Sequence, residues 1–265
     1  MTDLSRIEQI KADLIKKGRI WLKPYNFTKE ELPDVCLRSD QISNVPAPSL
    51  EKSIPEDATL INLPAIDELS LGTMPLIDIL KKRRSHRDFN EEDLSLEEIA
   101  FLCWSVAGVH EIGPNNIWTK RTSPSGGARH PFETYLVVQR VKGLEPGIYR
   151  YSGLQHKLVH VRTGDSFCGY LADFAMQPFV KDSAVIFIWT VIPYRNEWRY
   201  NFTSSREMAM DIGHYCENLY LAAESIGAGT CGVTSYEQSL VDDMLDVNGF
   251  DEFTIYIAPL GKIPA

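Results

Sequence analysis

The chain has 265 residues, with 27 lysines and arginines against 36 aspartates and glutamates, for a net charge of −9. At 44% hydrophobic and 24% charged residues it is long enough to bury a large core and has a globular composition, which excludes a disordered or fibrous chain. The acidic balance disfavours nucleic acid and membrane surfaces as partners, no stretch approaches the roughly 20 apolar residues of a membrane span, and the first residues lack a secretory profile.

Apolar residues at Leu4, Ile7, Ile10, Leu14 and Ile15 predict a helix over 4–17. Pro24 and Pro33 interrupt regular structure, and Pro46, Pro48, Pro55 and Pro64 exclude a long helix or central strand over 45–64. Residues 1–70 therefore read as an N-terminal helix and a Pro-rich extended arm lying across another surface, with the hypothesis that it wraps a neighbouring subunit. A short helix over 76–82 follows. Ser95 and Glu98 form a capping-box pattern that starts a helix running to about Val106. Residues 135–139 are a short apolar strand, and 148–151 with 157–162 flank Ser152-Gly153 as a hairpin. Residues 184–192, nearly continuous Val, Ile, Phe and Trp, read as a strand buried on both faces. Ser204 and Glu207 suggest a second capping box, opening a long helix with Met208, Ile212, Tyr215, Leu219, Ala222 and Ile226 on one face. Gly227 and Gly229 stop it; a segment 230–233, a helix 238–245 and a strand 253–259 complete the chain. Strands interspersed with helices and a hairpin point to an α+β fold with a mixed central sheet flanked by helices.

Cys36, Cys103, Cys168, Cys216 and Cys231 are odd in number and widely spaced, without metal-ligand spacing, so no structural zinc, no disulfide framework and a reducing cytoplasm are expected.

Three segments carry candidate chemistry. Residues 81–89 hold six basic-type side chains in nine positions, counting His86. They suit a solvated helix end, a nucleic-acid patch, or guanidiniums beside a serine clamping a phosphate. Residues 121–131, with Ser125-Gly126-Gly127, suit either an ordinary turn or a loop of exposed amides beside a flat ligand. The segment 227–236 is either a helix stop or a second run of unhindered amides. No Walker loop and no G-x-G-x-x-G after a strand is present, so a Rossmann site is not supported.

The ordered set R-R-S-H-R-D-F (83–89), P-S-G-G-A-R-H-P-F-E-T-Y (124–135) and G-A-G-T-C-G-V (227–233) resembles the FMN-dependent nitroreductase superfamily. L-E-P-G-I-Y-R-Y (144–151) and G-H-Y-C-E-N-L-Y-L-A-A-E (213–224) are similar to its SagB-type dehydrogenase branch, which includes azoline oxidases. The resemblance covers about residues 75–262. It implies that 71–265 is a nitroreductase-like FMN-binding domain, that two chains intertwine as a homodimer, and that FMN lies at their interface. Carried over residue by residue, it gives Arg83 and Ser85 the phosphate and ribityl chain, with Arg84 assisting. Arg87 takes the place of the cation at the N1/O2 edge, where positive charge stabilises the anionic reduced ring. Pro124, Ser125, Gly126 and Gly127 match the loop that the partner lays on the isoalloxazine. Gly232, Val233 and Thr234 match the segment at its other edge, with the Thr234 N–H at N5, and Lys262 is an added phosphate ligand.

Azoline oxidases are similar around Trp198-Arg199-Tyr200 but carry a Lys-Tyr pair thought to act as base. Arg199 stands in the lysine's place and makes a poor base, while Tyr200 survives. Arg199 and Tyr200 are the candidate catalytic pair, Arg199 with Arg206 suiting an anionic group and equally a solvated surface. His130 and His214 read as structural, and Trp198 as packing. The function expected is a cytoplasmic FMN-dependent oxidoreductase with NAD(P)H as electron donor and a small nitro-aromatic or quinone-like substrate. The alternatives are an azoline dehydrogenase acting on a modified peptide and a non-catalytic flavin-binding or assembly subunit. No metal is expected.

Overall fold

The computed structural model describes residues 3–23 and 39–264; Pro24, Pro33 and Cys36 lie outside the described residues. The strand expected at 184–192 is β7 (Val185–Val191), and all its residues are buried. Alternation explains this: Val185, Phe187, Trp189 and Val191 enter one core, Ile186 and Ile188 another. The seven-stranded sheet runs in the order β1 (Leu60–Asn62), β6 (Lys157–Thr163), β5 (Gly147–Ser152), β4 (Phe132–Val138), β7, β9 (Phe253–Lys262), β8 (Ala228–Thr230). Neighbouring strands pair antiparallel. Two isolated parallel bridges, Ser85 with Thr230 and Leu94 with Val141, add to these antiparallel pairings. A separate ribbon of β2 (Val109–Ile112) and β3 (Thr119–Arg121) was not legible in the sequence.

The helices are α1 (Asp3–Trp21), α2 (Leu76–Lys82), α3 (Leu96–Ala107), α4 (Phe167–Phe174), α5 (Tyr194–Tyr200), α6 (Ser204–Ser225) and α7 (Gln238–Leu245). One core lies between the sheet and α3 and α6, with Ile99, Leu102, Val106, Ile212, Tyr215 and Leu219. The other lies under α4 and α7, with Leu171, Val241 and Leu245. The class is α+β.

The two capping-box expectations part company. Ser95 is extended (φ −87°, ψ 164°); its hydroxyl accepts the Glu98 N–H at 3.2 Å, and the Glu98 carboxylate accepts the Ser95 N–H at 2.9 Å. The second box does not form. α5 feeds through a short 3₁₀ turn straight into α6, so the N-cap Thr203 already has helical torsions (φ −81°, ψ −13°) and Ser204 lies inside the helix. An N-cap side chain needs extended backbone to reach back. Glu207 turns instead toward Gly126.

The Pro-rich segment 45–64 lies across its own chain. The buried Glu51 carboxylate pairs with Arg121 at 3.2 Å and accepts from the Ser152 hydroxyl and the Gly153 amide. Lys52 Nζ reaches Glu252 at 2.6 Å, the Thr59 carbonyl accepts from the His160 amide, and Leu63 joins the core. Contacts within its own chain thus secure this part of the arm. α1 is different: Ile7, Ile10, Leu14 and Trp21 share one face and all remain exposed.

Glu133 on β4 is buried between Arg150 at 2.9 Å and Arg195 at 2.7 Å. Burial alone would raise its pKa, but the two guanidiniums outweigh it and hold the carboxyl below its ordinary range. This pairing pins α5, and with it Arg199 and Tyr200, against the sheet. Among the described residues, no helix is long and apolar enough to cross a membrane. Cys103, Cys168, Cys216 and Cys231 are free and buried.

Candidate flavin site

Helix α2 ends at Lys82, and the chain turns through Arg83–Arg87 onto the edge of β8. The Ser85–Thr230 bridge makes that turn, with the His86 amide donating to the Thr230 carbonyl at 3.0 Å. The first and third motifs, about 145 residues apart in sequence, are thereby side by side. The Arg83 guanidinium stands 5.3 Å over the Tyr220 ring, and Arg87 stands 6.0 Å from Phe179. None of Arg83, Arg84 and Arg87 is ion-paired among the described residues, although the chain is acidic overall. Uncompensated guanidiniums beside the exposed Ser85 hydroxyl form a donor set matched to a phosphate.

Two candidate phosphate ligands face elsewhere. Arg84 folds back and donates from one nitrogen to the carbonyls of Lys81, Lys82 and Arg83, closing the C-terminus of α2. The Lys262 ammonium is held by Glu98 at 2.5 Å and by the Ile226 carbonyl at 2.9 Å, so its charge is already neutralised by Glu98.

In the third motif the amides divide by role. The Val233 N–H donates to the Ile257 carbonyl at 2.8 Å, and the Gly232 N–H to the Tyr220 hydroxyl at 2.8 Å. Thr234 is exposed, and its N–H has no hydrogen bond among the described residues. That free amide is what a ring nitrogen would need.

The second motif lies further along α6. The Gly126 N–H donates to Asp211 at 2.8 Å, and the Ser125 hydroxyl accepts the His130 N–H at 3.0 Å. Gly127 has φ +60°, and a Cβ there would stand 2.6 Å from the Tyr200 hydroxyl and 2.9 Å from Arg199 Cδ. The structure thus brings Arg199 and Tyr200 onto the Gly126-Gly127 turn, with the Arg199 guanidinium 5.6 Å over the Tyr200 ring. Burial is the main cause that raises the Tyr200, Glu207 and Asp211 pKa values; for Asp211, Ser125 and the Gly126 amide pull the other way. His130 is buried beneath the loop, its ring nitrogens 3.0 Å from the Tyr215 hydroxyl and 3.0 Å from the Thr119 carbonyl. Trp198 packs, donating to the Val45 carbonyl at 2.9 Å under the Arg129 guanidinium.

Helix α6 sets the spacing of all three motifs. Asp211 holds the 124–127 loop, Asn218 reaches the Ser105 carbonyl at 2.9 Å and the Ser123 hydroxyl at 3.0 Å, and Tyr220 holds Ser85 and Gly232. At the α-helical rise, Asp211 and Tyr220 are about 13 Å apart along the axis. Sequence reasoning gave these three polar residues no role: it read the apolar face of α6 and quoted 213–224 only as part of the resemblance; the signal was their place on the remaining faces of a long helix.

The nitroreductase family model matches residues 80–262. The chain belongs to the nitroreductase family. Methanocaldococcus jannaschii MJ1384, itself named for the nitroreductases, is 31% identical over 209 residues, 78% of this chain and 98% of that protein. The trifolitoxin-processing protein TfxB of Rhizobium leguminosarum bv. trifolii is 32% identical over 138 residues, half of this chain but 37% of TfxB. A chain of the E. coli microcin synthetase McbBCD complex, solved with truncated pro-MccB17 bound, shares the fold at 18% identity and a TM-score of 0.57, covering 96% of this chain and 93% of that one.

Proposed function

We propose that this nitroreductase-family member is an FMN-dependent oxidoreductase that works as a homodimer in the cytoplasm. One observation carries the reading: the Ser85–Thr230 bridge sets guanidiniums that are not ion-paired among the described residues, and a serine hydroxyl, beside a segment whose Thr234 amide has no hydrogen bond among those residues. Those groups fit a phosphorylated, flat heterocycle. Arg83 and Ser85 would hold the phosphate, Arg87 would place positive charge at the pyrimidine edge, and the Thr234 N–H would meet the ring. When bound, FMN supplies hydride exchange between an electron donor and a substrate. The protein's own part is to bind, orient and shield: Asp211 holds the Gly126 amide, and Gly127 lets the loop come within contact of Arg199 and Tyr200.

The 124–127 loop and the Arg83–Arg87 run engage α6 about 13 Å apart. The resemblance assigns that loop to the other subunit's flavin, and the exposed Leu76, Ile77 and Leu80 on α2 give a second copy an apolar surface. A small nitro-aromatic or quinone-like substrate with NAD(P)H as donor is the favoured reaction. The resemblance to the azoline-oxidase branch gives a second reading, dehydrogenation of azolines in a modified peptide, and the similarity to TfxB, a trifolitoxin-processing protein, favours it. Arg199 weighs against it, since a guanidinium is a poor base.

Anaerobic addition of NADH or NADPH to the FMN-loaded protein separates these. Rapid bleaching of the flavin absorbance is expected. Stable flavin binding with no bleaching by either nicotinamide would overturn the reductase reading in favour of a dehydrogenase or a binding role.

A further inference from the structure

The Tyr220 hydroxyl stands between two groups assigned to the flavin, 2.8 Å from the Gly232 nitrogen and 3.2 Å from Ser85 Oγ. Directionality orders these contacts. A backbone N–H only donates, so the tyrosine oxygen is the acceptor from Gly232. Its single O–H can then be given to Ser85 Oγ, 3.2 Å away, although either hydroxyl can donate in this contact. A serine oxygen that accepts this proton turns its own O–H outward, into the field of Arg83 and Arg87. A phosphate oxygen only accepts, so this is the orientation that phosphate requires. Bonds in such a row also polarise one another. The ring contributes separately, since Arg83 stands over its face.

We propose that Tyr220 is a positioning residue for the phosphate end of the cofactor. The row runs from the Gly232 N–H through the Tyr220 O–H to the Ser85 O–H and fixes Ser85 as a donor to the phosphate. The proposal rests on the flavin reading above and adds a residue to it. Tyr220 acts through Ser85 and is not itself the phosphate ligand.

Removing the hydroxyl while keeping the ring tests this role. Y220F keeps the aromatic face under Arg83 and loses only the oxygen. Equilibrium quenching of flavin fluorescence by the full chain gives affinities for FMN and for riboflavin, which lacks the phosphate. Y220F is expected to weaken FMN binding about tenfold, the scale of one hydrogen bond to a charged group, and riboflavin less than twofold. Y220F/S85A is expected to bind FMN no more weakly than S85A alone, because both changes remove the same donor. Y220L should weaken FMN further than Y220F, since it also removes the ring beneath Arg83. Equal losses for FMN and riboflavin in Y220F would make Tyr220 a general structural residue and overturn the proposal. So would a Y220F loss that adds in full to that of S85A. A wild-type chain that does not distinguish FMN from riboflavin would overturn the phosphate reading of Arg83 and Ser85, and the proposal with it.

Discussion

Acidification below about pH 6.5 should weaken this fold through one buried ring. His130 is 2% exposed, with a ring nitrogen 3.0 Å from the Thr119 carbonyl and the other 3.0 Å from the Tyr215 hydroxyl. The carbonyl only accepts, so the Nε2 facing it carries the proton, and Nδ1 accepts from the tyrosine. Burial first, and then the nearby Arg121 and Arg129, depress its pKa from 6.5 to about 3, against the opposing pull of the Thr119 carbonyl. The unfolded chain binds a proton at this imidazole below pH 6.5, whereas the folded chain does so only near pH 3. Stability from this site is therefore present above pH 6.5 and lost as the pH falls through that window. The slope is about 1.4 kcal/mol per pH unit, on the order of 4–5 kcal/mol over the whole interval. His130→Gln removes the titration while keeping a donor and an acceptor. Urea unfolding at pH 7, 6, 5 and 4 should show the wild-type advantage over H130Q falling by about 1.4 kcal/mol per unit below pH 6.5. A wild-type-to-variant difference that stays constant from pH 7 to pH 4 would refute the buried, neutral histidine.

Gly127→Ala imposes a side chain at positive φ and against Arg199, and should lower unfolding free energy by about 1–2 kcal/mol. Gly169→Ala, where a Cβ meets nothing within 4 Å inside α4, should raise it by about 0.5–1 kcal/mol. The two opposite shifts are readable in one urea series. Glu133→Gln leaves Arg150 and Arg195 buried without their shared counter-charge and should cost about 3–5 kcal/mol, measured the same way. Ser95→Ala removes the working helix cap and should cost about 1 kcal/mol, while Ser204→Ala, at a position that makes no cap, should cost clearly less.

What could be read in advance was whatever depends on local pattern. β7 announced itself because a strand entering two cores must be apolar on both sides, and α6 because its apolar face repeats at helical spacing. The Ser95 box worked since the chain enters α3 extended; Ser204 and Glu207 show the same letters, but α5 delivers the chain to α6 already helical. Long-range pairings left no such mark. Nothing near Ser85 names Thr230 as its neighbour, and Tyr220, Asp211 and Asn218 become meaningful only once three distant loops lie on one helix. Lys262 and Arg84 had suitable charge, but Glu98 and the carbonyls ending α2 engage them first. The segment 45–64 was recognised as extended from its prolines, yet its seat on its own sheet depends on Glu51 and Lys52, which carry no periodic signal.

Equilibrium titration of the wild-type chain and of Arg83→Ala with FMN tests the central claim most directly. The account predicts one FMN bound per chain, with affinity falling about ten- to a hundredfold when the guanidinium is removed. Unchanged FMN affinity in Arg83→Ala, or no FMN binding by the wild-type chain, would contradict it.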